Sequence, residues 1–303
     1  MISEKNPGDF SWAVSYDPDF IGKLMYNGFL TMCERVDLHH CILLPKLHVV
    51  RCVVDLNCLK ISKSALKKSR GFKLSINKDF DGVCDAIVEQ HGENWFQKPL
   101  VAAFKEMNRR GSSGSNGGRV FVHSFELWKV DGEELSLAAG EVGYSFGGCY
   151  TSLSGFSKVD SSGTIQLAAT GCFLKSQGYQ MWDFGMEIEY KIQLGATNLP
   201  RNEFIRELEK TRDILNTRFL ELEPTDARTI IASCKVAPIV NADPMSKSQM
   251  KKKRKASERA QRKQQNQSPD PPAKEVSVKI PAKEIHTHAD TETGVAANQG
   301  ERR

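Results

Sequence analysis

The sequence predicts an α+β protein made of a small N-terminal α+β unit, a second α+β unit and a long polar tail. Capped helical patterns alternate with short β-rich runs in the first half. A Gly/Ser-rich segment at 111–118 then precedes a long β-hairpin pattern. Apolar periodicity ends near residue 245, where Lys, Gln, Pro and Thr dominate. The 303 residues suffice for roughly two domains of ordinary size.

One helix and two strands open the N-terminal unit. Asp17 as N-cap and Pro18 at the first helical position predict a helix that ends at Gly28. The β-rich runs at 41–44 and 48–54 follow, and we expect them to form neighbouring strands.

The rest of this unit alternates helix and strand. Residues 61–70 predict a basic helix and residues 72–76 a strand. Asn77 or Asp79 caps the next helix, and a further helix starts at Gln97 or Pro99. We therefore assign residues 1–110 to an N-terminal α+β domain.

The second unit begins after 111–118, which we predict to be a flexible linker. Strand patterns at 119–129 and 134–146 are joined by Asp131-Gly132, a strong hairpin-turn signal. A helix capped by Asp160 and ending at Gly178, a buried strand at 179–184 and a helix at 202–212 complete it. We place this domain at 119–240 and a disordered basic tail at 241–303.

Charge is distributed unevenly along the chain. The tail holds 14 Lys/Arg and 8 Asp/Glu, whereas the first 240 residues hold 28 and 29. The pI of 8.7 therefore reflects the tail and does not indicate a nucleic-acid-binding face on the globular part. The sequence contains no apolar run near the roughly 20 residues of a membrane span, so we predict no membrane association.

The eight cysteines are scattered without a CxxC pair, which is typical of a reducing compartment. The N-terminus shows neither a secretory signal nor a transit-peptide pattern. We expect a cytoplasmic protein, with the nucleus as the alternative. His39, His40 and Cys41, with Cys33 and His48, match no standard zinc-ligand spacing, so we predict no metal site.

Residues 183–201, DFGMEIEYKIQLGATNLPR, place an Asp at a strand end, a Gly-Ala pair twelve residues later and then Pro200-Arg201. This run resembles the leucyl/phenylalanyl-tRNA–protein transferases. The FELW run at 125–128, Phe156-Ser157 and the N-terminal runs at 17–29 and 62–67 add to the resemblance, which covers about residues 12–213. It implies an N-terminal α+β domain followed by a GNAT-type acyltransferase domain.

The resemblance implies transfer of Leu or Phe from aminoacyl-tRNA to a protein N-terminus, which tags the protein for degradation through an N-degron. An aminoacyl ester is already activated, so the enzyme mainly aligns it with the attacking amine and we expect no cofactor. Gly185 stands where the family carries Gln, and the run at 150–157 lacks the family's Glu. The alternative is therefore a non-catalytic relative that binds tRNA or a peptide. An acyl-CoA donor ranks last, because the loop that binds CoA is missing from 152–163.

The resemblance also implies site residues. Asp183, at the end of an apolar strand, is either buried and hydrogen-bonded or faces a cleft, and we expect it to orient the nucleophile with help from Glu187 or Glu189. We expect substrate contacts from Trp95, Glu126, Trp128, Ser152, Phe156 and Tyr190, although Trp95 also suits core packing and Glu126 a solvated strand. The tRNA contacts would come from Lys60, Lys63, Lys67, Lys68 and Arg70, for which a solvated helix face is the alternative.

The tail carries a dense basic run. Residues 247–263 hold nine basic residues and one acid, with the densest part starting at Lys251 and the run ending at Lys263. This pattern suits a nuclear-import receptor or an RNA-contacting arm, and a solubilising tail is the third interpretation.

Overall fold

The computed structural model describes residues 11–37, 40–111, 119–187, 189–214 and 220–234, which belong to one compact unit. Its helices are α1 (Pro18–Tyr26), α2 (Lys63–Lys68), α3 (Phe80–His91), α4 (Lys98–Arg110), α5 (Ser162–Ser176), α6 (Glu189–Gln193), α7 (Arg201–Thr211) and α8 (Ala227–Ser233). Its strands are β1 (Leu30–Arg35), β2 (Cys41–Lys46), β3 (Val50–Asp55), β4 (Phe72–Ile76), β5 (Phe121–Asp131), β6 (Glu134–Phe146), β7 (Cys149–Ser157), β8 (Met181–Asp183), β9 (Thr197–Pro200) and β10 (Leu222–Asp226).

An eight-stranded sheet organises the fold, in the order β10-β4-β5-β6-β7-β8-β3-β9. Its neighbours are antiparallel except β7 and β8, which run parallel, so the sheet is mixed. Strands β1 and β2 form a separate antiparallel pair. The prediction of an α+β protein is therefore confirmed.

Helices cover both faces of the large sheet. In β3, Cys52 and Val54 belong to one apolar cluster and Val53 to the other, as the alternation of a strand requires. The first cluster includes buried residues of α5 and α8, and the second those of α1, α3 and α4. The two buried layers fix the sheet from both sides.

Local signals set several helix starts as predicted. The Asp17 carboxylate accepts a hydrogen bond from the Phe20 N–H at 2.9 Å, and Asp79 accepts one from the Gly82 N–H at 2.9 Å. The β5–β6 hairpin also turns where predicted, and Gly132 there has φ +61°. These elements depend on contacts within a few residues.

The strands predicted at 41–44 and 48–54 are not neighbours. Strand β2 pairs with β1, whereas β3 lies between β8 and β9. Four consecutive residues of β3 are buried, which is typical of a strand covered on both faces inside a large sheet. Burial on both faces therefore places β3 in the large sheet, away from the strand that precedes it.

The linker predicted at 111–118 does not separate two sheets. Strands β3 and β4 come before it, and both are built into the same sheet as β5 to β9, which come after it. Residues 112–118 themselves lie outside the described residues. Both predicted domains therefore contribute strands to one sheet, and the division into 1–110 and 119–240 stays a prediction.

The predicted tail at 241–303 lies outside the described residues. Among the helices that the structure describes, none combines the length and apolar character needed to cross a bilayer.

Candidate active site

A cavity opens where two parallel strands part. The pairing of β7 with β8 ends at Thr151 and Asp183, but β7 continues to Ser157. The chain after β8 turns away at Gly185, whose φ is +70°, and its backbone pairs with Cys52 of β3. A cavity of about 590 Å³ occupies the resulting space.

The cavity is lined by both apolar and polar residues. The apolar lining, called the apolar wall below, comes from Leu153, Phe156, Leu167 and Phe184. Its polar lining comes from the end of α3, from β6 and β7, from the start of α5 and from α6, and includes Gln90, His91, Glu141, Ser152, Ser154, Ser157, Ser161, Thr164, Gln166, Tyr190 and Lys191. Such a site suits a ligand with an apolar side chain and a polar reacting group.

Glu141 of β6 is a buried acid in this cavity, with 3% of its surface exposed. The Tyr150 hydroxyl donates to Oε1 at 3.0 Å, and the Ser152 hydroxyl donates to Oε2 at 3.1 Å. Desolvation raises the pKa of Glu141 to about 7, although hydrogen bonds from Tyr150, Ser152 and Gln166 oppose the rise. A carboxyl with this pKa exchanges a proton readily at neutral pH, as a general base must.

A β-bulge shapes the wall beside Glu141. The β6–β7 register shifts between Val142 and Gly143, so Leu153 is the extra residue of β7, and it lines the cavity. Gly155 lies opposite Glu141, and a Cβ added there would come within 3.2 Å of the Glu141 Cβ and 2.8 Å of the Gly140 oxygen. A glycine at 155 therefore leaves room for the acid.

Lys191 of α6 brings a cation to the same cavity, although only 8% of it is exposed. Its Nζ donates to the Phe184 carbonyl at 2.7 Å and to the Met186 carbonyl at 3.1 Å. Desolvation lowers the pKa of Lys191, while Cys52, Asp183 and Glu141 oppose that shift. The ammonium therefore ties α6 to the chain segment that follows β8.

Asp183 does not line the cavity. It is 1% exposed, and Arg51 donates to it from Nε at 3.0 Å and from Nη2 at 2.5 Å. Thr151 and the Gly185 N–H complete its hydrogen bonds, at 3.1 Å and 2.9 Å. Of the two predicted placements, the structure has the buried, hydrogen-bonded one, because a carboxylate beside a fully buried guanidinium is stabilised by remaining paired.

The start of α5 connects the cavity to the predicted tRNA contacts. Lys60, Lys63, Lys67, Lys68 and Arg70 are all exposed, on α2 or next to it. The Lys68 Nζ donates to the hydroxyl of Ser161 at 2.7 Å, and Ser161 lines the cavity. The basic group therefore lies beside one side of the cavity.

Two predicted substrate residues on β5 lie elsewhere. Glu126 is fully buried and accepts hydrogen bonds from Ser124, from Ser75 at 2.5 Å and from backbone N–H groups at the start of α3. Trp128 donates to the same Ser75 hydroxyl at 2.7 Å. Neither residue lines the cavity. Their hydrogen bonds instead connect β5 to β4 and to the start of α3.

The remaining predictions divide between the cavity and other places. Ser152, Phe156 and Tyr190 line the cavity as predicted. Trp95 is half-buried, stacks on Phe96 at 4.9 Å and lies outside the cavity lining. Glu187 is exposed and accepts from Asn198, also outside the lining, and the side chain of Glu189 is outside the described residues.

Sequence reasoning missed Glu141 and Lys191, the two charged groups of the cavity. A signal existed for Glu141, because an acid at 141 interrupts a β pattern of small and apolar residues from 138 to 146. No comparable signal marked Lys191, which lies in a polar run between the predicted strand at 179–184 and the predicted helix at 202–212.

Within the part of the chain that the structure describes, no cluster of three His, Cys, Asp or Glu residues could hold a metal ion. His40, one of the residues considered for zinc, is exposed and its Nδ1 lies 2.8 Å from an Asp37 oxygen. His39 lies outside the described residues.

A family model described as Leucyl/phenylalanyl-tRNA protein transferase matches residues 53–209. The matched segment starts in β3 and ends in α7, and so includes every cavity element named above. A leucyl/phenylalanyl-tRNA–protein transferase of Rubrobacter xylanophilus is 28% identical over 160 residues, which cover 52% of this chain and 77% of that protein. One of Jannaschia sp. is 28% identical over 197 residues, covering 63% and 84%.

Among solved structures, the crystal structure of FemX superposes with a TM-score of 0.38 and 10% identity, over 60% of this chain and 66% of that chain.

Proposed function

The chain belongs to the leucyl/phenylalanyl-tRNA protein transferase family, and we propose that it transfers Leu or Phe from an aminoacyl-tRNA to the N-terminal amine of a protein, in the cavity that Glu141 lines. The observation that carries this assignment of the site is a buried carboxyl with a pKa of about 7 facing a cavity that also has an apolar wall.

The reaction needs a proton acceptor for the attacking amine. As the amine nitrogen bonds to the ester carbon it becomes cationic, and it must lose a proton before the product amide forms. Glu141 can accept that proton, because it is partly ionised near neutral pH and its cavity-facing position needs no rearrangement. It therefore takes the role expected of Asp183, Glu187 or Glu189.

The apolar wall binds the side chain of the transferred amino acid. Phe156 is 4% exposed and lies with Leu153, Leu167 and Phe184 around the cavity. Burying a Leu or Phe side chain there contributes about 2 kcal/mol of binding free energy. Charged amino acids gain nothing from such a wall, which favours Leu and Phe.

The exposed basic residues of α2 and its neighbours bind the tRNA acceptor stem. Lys68 contacts Ser161 at the cavity, so a phosphate backbone held by these residues brings the 3′ end close to Glu141. Contacts of this kind position the RNA without reading its sequence.

Asp183 and Arg51 act as positioning residues. The Gly185 N–H donates to Asp183, and Phe184, Tyr190 and Lys191, which follow β8 along the chain, line the cavity. The buried pair therefore fixes the place where the chain leaves β8 and the cavity begins.

Three further assignments extend this proposal. The fold is of the GNAT type, the product is a protein marked by an N-degron, and the enzyme works in the cytoplasm.

The basic run from Lys251 to Lys263 lies outside the described residues, so binding to a nuclear-import receptor or to RNA stays a prediction from charge. Deleting 247–263 and measuring both nuclear accumulation and tRNA affinity separates these roles.

The non-catalytic alternative depends on Gly185, which replaces the family's Gln. Glu141, on β6, supplies a proton acceptor in the cavity without the family's Gln, and the named relatives are transferases. The alternative is therefore not favoured.

The test measures transfer of radiolabelled Leu or Phe from tRNA to a protein with an N-terminal Arg or Lys. We expect transfer by the unmodified chain and a loss of about 100-fold in Glu141→Gln, the size usual for a general base. Glu134→Gln is the matched control, because Glu134 is an exposed acid on the same strand. Equal activity of Glu141→Gln and Glu134→Gln contradicts the proposed role.

A further inference from the structure

We propose that Lys191 is a catalytic residue that stabilises the oxyanion formed on the ester carbonyl oxygen during transfer. This inference rests on the proposed function and adds a role that neither the family match nor the sequence assigns to this position.

The geometry of the ammonium leaves one donor for a substrate. An ammonium has three N–H donors, and Lys191 uses two of them on the carbonyls of Phe184 and Met186. Within the described residues, no oxygen, nitrogen or sulfur atom accepts from the third, and Nζ lies 5.3 Å from the centre of the Phe184 ring. Because Lys191 lines the cavity, that donor is available to a group bound inside it.

The two bonds to carbonyls also fix the position of Lys191. A free lysine side chain loses up to about 2 kcal/mol of rotamer entropy when a ligand orders it. Lys191 is already held by Phe184 and Met186 and is 8% exposed. The cation is therefore preorganised, the condition under which an oxyanion donor is most effective.

Glu141 and Lys191 supply opposite charges to one cavity without forming an ion pair with each other within 4.0 Å in the described part of the chain. They nevertheless interact electrostatically, since each shifts the pKa of the other toward the ionised form. A reacting group can therefore lie between a proton acceptor and a cation.

The reaction balances with these two groups. The acceptor amine nitrogen bonds to the ester carbon, and the C=O π electrons move to the oxygen, where Lys191 donates a hydrogen bond to the oxyanion. Glu141 takes a proton from the nitrogen. The C–O bond to the ribose then breaks as the carbonyl re-forms, and the ribose oxygen takes the proton from Glu141. The products are the aminoacylated protein and a tRNA with a free hydroxyl.

Holding the segment after β8 is a purely structural role that Lys191 could have instead. Loss of that role would disturb the cavity wall and weaken substrate binding. Loss of an oxyanion donor lowers the rate of the chemical step and leaves ground-state binding unchanged. The two roles therefore predict different measurements.

The experiment compares Lys191→Met, which keeps the length but removes the charge, with Lys175→Met as the matched control. Lys175 also donates to a backbone carbonyl, that of Asn57, but does not line the cavity. We expect the single-turnover rate of Lys191→Met to fall at least about 100-fold, the usual loss for one oxyanion donor, with the Kd for Leu-tRNA changed less than threefold. An unchanged rate, or a loss entirely in Kd, overturns the inference.

A second measurement, the binding of two substrate analogues, tests the contact between Lys191 and the oxyanion. The probes are two 3′-linked aminoacyl adenosine analogues, an amide that mimics the ground state and a phosphonate whose anionic oxygen mimics the tetrahedral intermediate. We expect Lys191→Met to weaken phosphonate binding at least tenfold and amide binding less than threefold, and equal effects overturn the inference. If Lys191→Met fails to fold, Lys191→Gln, which keeps N–H donors without the charge, undergoes the same two measurements.

The outcomes also separate this inference from the proposed function. Absence of transfer by the unmodified chain overturns the proposed function and the inference together. Transfer by the unmodified chain that Lys191→Met retains in full overturns the role of Lys191 alone.

Discussion

The guanidinium of Arg51 donates two hydrogen bonds to the carboxylate of Asp183, and both side chains are buried. Arg51 also donates to the Gly28 carbonyl at 2.8 Å and stacks on the ring of Phe204 at 4.4 Å. One ion pair therefore joins the end of α1, β3, β8 and α7. The pair holds Asp183 outside the cavity lining, whereas the buried acid that lines the cavity, Glu141, lies on another strand.

Breaking this pair destabilises the fold. Asp183→Ala leaves a buried guanidinium unpaired, and we expect a loss of about 3–5 kcal/mol in the free energy of unfolding. Arg51→Met leaves a buried carboxylate and costs a similar amount. The double variant Arg51→Met/Asp183→Ala is expected to lose less than the sum of the two, because it leaves no unpaired charge. Urea unfolding of all four proteins measures this coupling, and strictly additive losses would contradict it.

The sequence predicted best what depends on neighbouring residues. Asp17 and Asp79 cap their helices through N–H groups three residues away, and Asp131-Gly132 turns a hairpin by its own backbone preferences. The place of β3 between β8 and β9 depends on residues about 130 to 150 positions away. No local pattern specifies such partners, so the predicted pairing of β3 with β2 was wrong.

Restoring the family's Gln at position 185 is expected to harm this chain. Gly185 has φ +70°, and an added Cβ would lie 3.0 Å from the Leu30 Cδ1. Gly185→Gln therefore loses about 1–2 kcal/mol of unfolding free energy without gaining activity. Gly185→Asn is the control, because Asn tolerates this backbone region better and is expected to lose less. Thermal unfolding and transfer rates test both, and a Gln variant that is more active would contradict this account.

Glu141 is expected to reduce stability at neutral and alkaline pH. Its pKa is higher in the folded chain than in the unfolded chain, so the folded state binds the proton more tightly. Unfolding free energy therefore falls as pH rises from about 4.5 to about 7, by up to roughly 3 kcal/mol, and then levels off. Glu141→Gln removes this dependence and is expected to be the more stable protein at pH 8. Chemical unfolding measures this dependence, and an identical pH dependence in both proteins would contradict a raised pKa of Glu141 in the folded state.

The basic group near α2 is expected to bind tRNA through phosphates. Lys63→Ala/Lys67→Ala removes two exposed cations and should weaken tRNA binding about equally for different tRNA sequences. The slope of log Kd against log salt should decrease by roughly 1.5–2, since two counterion-releasing contacts are lost. Lys129→Ala, an exposed lysine at the end of β5, is the matched control. Filter binding at four salt concentrations measures the slope, and no change from the control value would exclude this surface.

The candidate site was only partly predictable, for a physical reason. Phe156 and Tyr190 lie in runs that resemble the family, and they line the cavity together with Ser152. Glu141 becomes part of the site only because β6 and β7 pair with a bulge and β7 extends past the end of β8. The strand pattern shows that an acid is unusual at 141. Its position at the cavity depends on how β6, β7 and β8 pair with one another, which the pattern of one strand does not contain.

The pH dependence of single-turnover aminoacyl transfer tests the central claim most directly. The acceptor amine, with a pKa near 8, and Glu141, with a pKa of about 7, must both be deprotonated, so the rate should rise with pH. Below pH 7 both groups are mostly protonated, so the pH dependence of the rate there should reflect both ionisations. In Glu141→Gln the rate should be about 100-fold lower at pH 8 and depend on the amine alone. A Glu141→Gln variant with the same rate and the same pH profile as the unmodified chain would show that the transfer does not use this acid.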